Sequence, residues 1–220
     1  MTTNSLKPSQ PVNRLVIIGL GLIGSSLAAA VRERGLARQV TGISRRQSTL
    51  EIALERGLVD DVADSLAQVA SELGEGDMVV MGVPTLSVPK VLKDCMSLLS
   101  PEVTITDVAS VKGSVVESAR QLYGEVPPQL VPGHPIAGSE KSGVEAANGD
   151  LFVDHRVILT PLETTADEHL SPVASLWRGA GAAVSTMSVA EHDKILAATS
   201  HLPHLVAYSL VDTLTNMGSK

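Results

Sequence analysis

A glycine turn near the start of the chain, Gly19-Leu20-Gly21-Leu22-Ile23-Gly24, constrains the fold more than any other feature of the sequence. It follows a short β-branched run at residues 14–18. It opens a segment of helical character at residues 22–34 that stops at Gly35. In a G-x-G-x-x-G turn between a strand and a helix, each glycine answers a separate demand. The first permits a tight turn, the second lets the backbone approach a pyrophosphate, and the third lets the helix lie close on the sheet. The free N–H groups and the dipole of the helix N-terminus then favour an anion. Gly19, Gly21, Leu22, Ile23 and Gly24 are therefore read as a dinucleotide-binding turn. Residues 15–31 are uncharged and lie between Arg14 and Arg32, which imitates a signal peptide or a minimal membrane span. The glycines interrupt that run and already have an explanation. The expectation is a cytoplasmic protein that does not engage a membrane.

The turn heads a rhythm of short apolar runs and helical segments. Residues 39–43, 77–81 and 103–106 read as further strands, and residues 88–99 and 111–123 as helices. Ser48 or Thr49 can cap another helix that ends near Gly57. The alternation implies an α/β fold: a doubly wound, mainly parallel sheet of Rossmann type, covered on both faces. Residues 130–148 are rich in Gly, Pro, Ser and His and read as an ordered functional loop. A strand at 157–160, a helix at 166–178 and a short strand at 182–184 follow. From Ser188 the chain is helical again, with Glu191 completing an S-x-x-E capping box. Val206, Leu210, Leu214 and Met217 then form an apolar stripe that needs a partner. The domain reading is a loose tail at 1–12 and a nucleotide-binding domain at 13–187, then the start of an all-helical domain at 188–220. On this reading the chain is a fragment, or its last helix packs on another subunit.

Charge and composition narrow the partners. Seventeen Lys and Arg against 24 Asp and Glu leave a net charge of −7, without the basic face of a nucleic-acid binder. Aromatic residues make up 2% of the chain, too few for a base-stacking platform. The one cysteine, Cys95, excludes an internal disulfide and a CxxC motif, and its helical setting suits a small buried hydrophobe. The second strand ends in Ser44-Arg45-Arg46, where an NAD site places an acid for the ribose 2′-OH. Guanidinium groups suit a 2′-phosphate, which favours NADP over NAD, although two solvated surface arginines would look the same. Val83, Pro84 and Asp107 follow or end later strands and are read as further cofactor contacts, because ligands bind outside the carboxyl ends of such strands.

Two segments carry the candidate chemistry. One is Thr106-Asp107-Val108-Ala109-Ser110-Val111-Lys112, in which Asp107 and Lys112 shape the loop and Ser110 can cap the helix that follows. The other is Gly133-His134-Pro135-Ile136-Ala137-Gly138-Ser139-Glu140. A histidine between Gly and Pro has few packing partners and titrates near working pH, so His134 is a candidate general base. Glu140 also fits the first turn of a helix. His192, His201 and His204 lie close in sequence, but no cysteine is near and Pro203 disturbs the spacing, so no metal site is expected.

At these residues the chain resembles the prephenate/arogenate dehydrogenase family of tyrosine biosynthesis. The matching pieces are VIIGLGLIGSSLA, TDVASVK, GHPIAGSEKSG, LF at 151–152 and EHDKILAATSHLPHLVA, in family order from about residue 14 onward. The resemblance implies an NAD(P)-dependent oxidative decarboxylation of prephenate or arogenate by a homodimer joined through a C-terminal helical domain. It implies that His134 is the catalytic histidine and that Ser110 orients the ring hydroxyl and the histidine. It further implies that Glu140, His204, His201 and Ser200 bind substrate. The family's carboxylate-gripping arginine has no counterpart before residue 220. Glu140 and His204 follow a pattern associated with prephenate, whereas Ser44-Arg45-Arg46 resembles NADP-dependent arogenate enzymes. Two alternatives stay open: a 3-hydroxyacid dehydrogenase using Lys194, and a dinucleotide-binding module without catalysis.

Overall fold

The computed structural model describes residues 11–217. Residues 1–10 of the expected tail lie outside the described residues, and Val12 already belongs to the first strand. The first half runs β1 (Val12–Ile18), α1 (Leu22–Arg34), β2 (Ala37–Ile43), α2 (Gln47–Glu55) and β3 (Asp61–Ala63). It continues with β4 (Met78–Met81), α3 (Val88–Leu98), β5 (Thr104–Asp107), α4 (Lys112–Tyr123) and β6 (Leu130–Val131). These six strands form one sheet in the order β3-β2-β1-β4-β5-β6, and every pairing in it is parallel. The order reverses between β1 and β4, the switch point at which doubly wound sheets bind ligands.

Residues 15–18 of β1 and the whole of β4 are apolar and buried because both faces of the sheet are covered there. Leu15 and Ile17 of β1 pack with Met78 and Val80 of β4 under α1 and a later helix, in a core with Leu27, Val31 and Trp177. The intervening Val16, Ile18, Val79 and Met81 point to the other face and join Leu92, Cys95, Val115 and Ala119 of α3 and α4. This is the period-2 alternation of a pleated strand, with an apolar layer on each side. Each fully buried Leu or Val stabilises the fold by about 1.5–3 kcal/mol in transfer terms. Burial pushes the Cys95 thiol up to about 12, with the nearby Asp94 adding to the rise, so it is an inert packing group.

The second half differs from a simple continuation of the sheet. Residues 130–148, expected as a loop, contain β6, then β7 (Gly133–Ile136) and a short 3-10 turn. Strand β7 pairs antiparallel with β8 (Arg156–Leu159). After α5 (Asp167–Gly179), β9 (Ala183–Thr186) pairs parallel with β8. The three form a separate sheet in the order β7-β8-β9. Pro135 hides β7 from a sequence reading, yet β7 is an edge strand, where a missing N–H is tolerated. Phe152 and Trp177, both fully buried, meet edge to face at 5.1 Å and lock this half onto α1.

Two cap assignments are corrected. Arg46 holds the N-cap of α2, so Ser48 and Thr49 lie inside its first turn. Val111, in extended conformation, holds the N-cap of α4, which displaces Ser110 from that role. Ser188 does cap α6 (Val189–Leu196), its hydroxyl accepting the Glu191 N–H at 3.2 Å. A π-helical turn, Ala197–His201, joins α6 to α7 (Leu202–Met217). Pro203 in the first turn of α7 has no N–H for the Thr199 carbonyl, and its ring pushes that carbonyl away, which accounts for the widened turn. No described helix is long and apolar enough to cross a membrane.

Candidate active site

Parallel pairing puts the carboxyl ends of the strands on one edge. Ile18 is in register with Ile43 and Met81, Met81 with Asp107, and Thr106 with Val131. The glycine turn, Ser44-Arg45-Arg46, Val83-Pro84, the Ser110 bend and the start of β7 all leave from this edge. It thus gathers most of the residues singled out by the sequence.

At the glycine turn, Gly19 has φ 103°, a left-handed conformation, and a Cβ there would come within 2.5 Å of the Gly82 carbonyl oxygen. A Cβ on Gly24 would come within 2.1 Å of the Gly19 carbonyl oxygen, so α1 needs a glycine at its third residue to lie this close to the turn. Gly21, at the N-cap of α1, faces open space: nothing lies within 4 Å of its would-be Cβ. The first turn of α1 carries no acidic side chain, and no side chain caps it. Its N–H groups therefore suit a pyrophosphate. Leu22 and Ile23 are half-buried beside it. Ser44 accepts the Arg46 N–H at 3.2 Å, while Arg45 and Arg46 are exposed. Val83 is half-buried and Pro84 exposed.

The two chemical segments share one buried ion pair. Asp107 and Lys112 are both fully buried, and the Lys112 ammonium contacts the Asp107 carboxylate directly. Asp107 Oδ2 also accepts the Ala109 N–H at 2.9 Å, and its Oδ1 accepts the Gly133 N–H at 3.3 Å. Lys112 Nζ donates to the Gly133 carbonyl at 2.5 Å. Burial pulls the Lys112 pKa down while the Asp107 carboxylate pushes it back up. The Asp107 side chain shapes the loop as expected: its oxygens tie the Ser110 bend to the start of β7.

His134 is on β7 and not in a loop, and it is half-buried. Its Nδ1 lies 2.9 Å from His192 Nε2, the rings meeting edge to face. His192, on α6, is fully buried, and its Nδ1 lies 2.7 Å from Asp193 Oδ1. Asp193 in turn accepts the backbone N–H groups of Lys112 at 2.9 Å and Gly113 at 2.8 Å. It thereby fills the α4 cap that Ser110 leaves. Burial lowers the His134 pKa to about 3, with the charges of Lys112, His192 and His201 acting in the same direction and Asp193 opposing. Burial alone would raise the Asp193 carboxyl. Hydrogen bonds from His192, Lys112 and Gly113 hold it below its usual value instead.

The remaining candidates lie around this core. Ser110 is exposed in a bend before α4. Glu140 is exposed in an irregular stretch, not in the first turn of a helix. Ser200 and His201 are half-buried in the π turn, and His204 is exposed on α7. Lys194 is exposed. The sequence signals His192 only as a candidate metal ligand and gives Asp193 no role. Both of its ring nitrogens are engaged, so His192 offers no lone pair to a metal. The adjacent His-Asp just after a helix cap was the one signal for the pair. Beyond Glu140, the chain is clamped back onto the first domain. Arg56 donates to the Val144 and Glu145 carbonyls, Ser26 Oγ accepts the Asn148 N–H, and Arg34 donates to the Gly149 carbonyl.

Comparison with known proteins gives a consistent relationship. The nucleotide-binding domain of prephenate dehydrogenase, as a family model, matches residues 27–186, and the dimerization domain matches residues 188–220. A cyclohexadienyl dehydrogenase of Zymomonas mobilis is 35% identical over 207 residues, 94% of this chain and 69% of that protein. A prephenate dehydrogenase of Bacillus subtilis is 37% identical over 204 residues, 92% of this chain and 54% of that protein. The chain thus spans about half the length of the Bacillus relative. The crystal structure of Aquifex aeolicus prephenate dehydrogenase in complex with hydroxyphenyl propionate and NAD+ superposes with a TM-score of 0.86 at 35% identity. That match covers 95% of this chain and 71% of that one.

Proposed function

The chain belongs to the prephenate dehydrogenase family, and on that premise we propose that it catalyses the NAD(P)-dependent oxidative decarboxylation of prephenate to 4-hydroxyphenylpyruvate. The observation that carries the reading is His134, held at the carboxyl edge of the sheet with one ring nitrogen bonded to His192. Among the described residues no hydrogen bond engages the other ring nitrogen, Nε2. The substrate is a cyclohexadiene with a ring hydroxyl, a ring carboxylate and a side-chain acid. A dinucleotide held at the α1 turn would supply the hydride acceptor for the carbinol carbon. His134 takes the hydroxyl proton as the O–H electron pair forms a carbonyl. CO₂ departs, the ring becomes aromatic and the same oxygen regains a proton. Aromatisation provides the driving force, so the protein's part is positioning and proton acceptance. A base held near pKa 3 is neutral and ready at working pH, and the substrate's carboxylates raise it on binding.

Ser110 orients the ring hydroxyl toward His134. Glu140, Ser200, His201 and His204 contact the rest of the substrate, and the open N-terminus of α1 takes the pyrophosphate. NADP is the preferred cofactor over NAD, since Arg45 and Arg46 are exposed at the end of β2 with no acid between them and the ribose position. Residues 188–220 join two copies into a homodimer, in keeping with the exposed apolar residues of α7. The same Ser44-Arg45-Arg46 sequence supports arogenate as a second substrate.

The test is the near-ultraviolet absorbance of reduced nicotinamide in four mixtures, prephenate or arogenate with NAD+ or NADP+. It is run on this chain and on the natural gene product that carries the sequence. Turnover of prephenate, lost in His134→Asn with dinucleotide binding retained, is expected. Cofactor binding without turnover of either substrate by the gene product would replace the reading with a dinucleotide-binding module.

A further inference from the structure

Asp193 is acceptor-only when ionised, so the hydrogen in its 2.7 Å bond with His192 must sit on His192 Nδ1. In a neutral His192, Nε2 is then an acceptor. The hydrogen in the 2.9 Å bond between the two histidines must therefore belong to His134 Nδ1. His134 Nε2 is left with its lone pair. Three side chains on β7 and α6 thus fix, in one direction, which nitrogen of His134 can accept a proton. The anchor of the series is firm. Asp193 is also bonded to the Lys112 and Gly113 N–H groups, and Lys112 is tied through its own ammonium to Asp107 and Gly133. The titratable groups acting on His134 are Lys112 from α4, His192 and Asp193 from α6, and His201 from the π turn. Asp193 is the carboxylate among them.

We infer that His192 and Asp193 are positioning residues for His134: they hold its Nδ1–H inward and its Nε2 lone pair toward the substrate hydroxyl, and they stabilise the imidazolium formed there. The step is balanced simply. The substrate O–H bond breaks, an N–H bond forms at His134 Nε2, and the positive charge is met through the Nδ1–H bond by His192 and the Asp193 carboxylate. The proton does not pass to Asp193. The logic is that of a base oriented by a third group, here with a second imidazole between them. This rests on the catalytic role proposed above for His134.

Two measurements on the natural gene product test it. Long-range proton–nitrogen spectra of histidine-labelled protein near neutral pH are expected to show both His134 and His192 protonated at Nδ1. A proton on His134 Nε2 overturns the inference whether or not the protein is an enzyme. In kinetics, His192→Leu is expected to lower kcat roughly hundredfold with KM changed only a few-fold. His192→Gln, which keeps a carbonyl acceptor for His134, is expected to recover part of that loss. Asp193→Asn removes the charge that raises the His134 pKa, so the acidic limb of its kcat profile moves to lower pH. A merely structural role would lower the melting temperature in all three variants and leave that limb in place, which would overturn the inference. Failure of the unmodified protein to turn over either substrate is a different result: it removes the proposed reaction while the nitrogen spectra still decide the tautomers.

Discussion

The carboxylate of Asp193 stands where a side chain on Gly113 would have to be: a Cβ built on Gly113 lies 2.7 Å from Asp193 Oδ2. The glycine in the second position of α4 is therefore a docking feature that admits a cap from α6, some eighty residues away in sequence. Gly113→Ala is expected to dislodge Asp193, release two charge-assisted hydrogen bonds and loosen His192. Each such bond contributes about 1.5–3 kcal/mol. Helix propensity alone would make alanine more stable than glycine by about 1 kcal/mol. Chemical denaturation decides between them, and a stabilised Gly113→Ala protein would contradict the docking role.

The buried Lys112–Asp107 pair makes a sharper prediction. Lys112→Met leaves an unpaired carboxylate in a dry site, which costs about 3–5 kcal/mol. Asp107→Leu with Lys112→Met removes both charges, yet it strands the N–H groups of Ala109 and Gly133 that the carboxylate now accepts. The double variant is therefore expected to recover only part of the loss. Full recovery in a denaturation double-mutant cycle would mean that the pair is an isolated ion pair and not the tie between the two segments.

Stability should depend on pH through the histidines that the fold keeps neutral. His134 falls from 6.5 to about 3 on folding, chiefly by burial. His169, buried and 2.8 Å from Thr104 Oγ1, is also lowered by burial, with Glu168 opposing. Below pH 6.5 the unfolded chain binds more protons than the folded one at these sites. Their contribution is thus complete above 6.5 and declines as pH falls toward about 3. Asp193, lowered from 3.8, adds a loss that begins only at more acidic pH. Denaturation midpoints from neutral to acidic pH should slope downward, and His134→Asn should flatten the slope. An unchanged slope in that variant would exclude His134 as a source.

Cofactor choice can be tested at one atom of difference in charge. Ser44→Asp places a carboxylate at the end of β2, where the ribose 2′ position of a bound dinucleotide is expected. Repulsion of a 2′-phosphate should lower kcat/KM for NADP+ by about tenfold or more, while NAD+ gains or holds. Equal effects on both cofactors would remove Ser44-Arg45-Arg46 from the ribose site.

What the sequence made legible was local. The glycine turn, the bounds of α1 at residues 22–34 and the capping of α6 by Ser188 each depend on neighbouring residues, and each is found as read. The strand Asp61–Ala63 escaped because three residues carry no period. Strand β7 escaped because Gly133 and Pro135 signal a loop unless its edge position is known. The connection from Asp193 to α4 was hidden for another reason. A side chain from a distant helix took a capping role that local spacing offered to Ser110, and no periodicity reports such a contact.

The last helix makes the plainest prediction about assembly. Val206, Leu210 and Leu214 are each 58% exposed, Leu205 is 63% exposed and Met217 is 70% exposed, and no described residue of α7 is buried. Single exposed apolar side chains are ordinary, but a contiguous stripe along one helix is a contact surface. Its residues gain about 25 cal/mol for each Å² of apolar area removed from water, so pairing two such stripes is favoured wherever their shapes fit. The chain is therefore expected to associate at tens of micromolar in light scattering, and Leu210→Asp with Leu214→Lys should shift it toward monomer without altering dinucleotide binding at the distant α1 turn. A monodisperse monomer of the unmodified chain would mean that α7 folds back to cover its own apolar face.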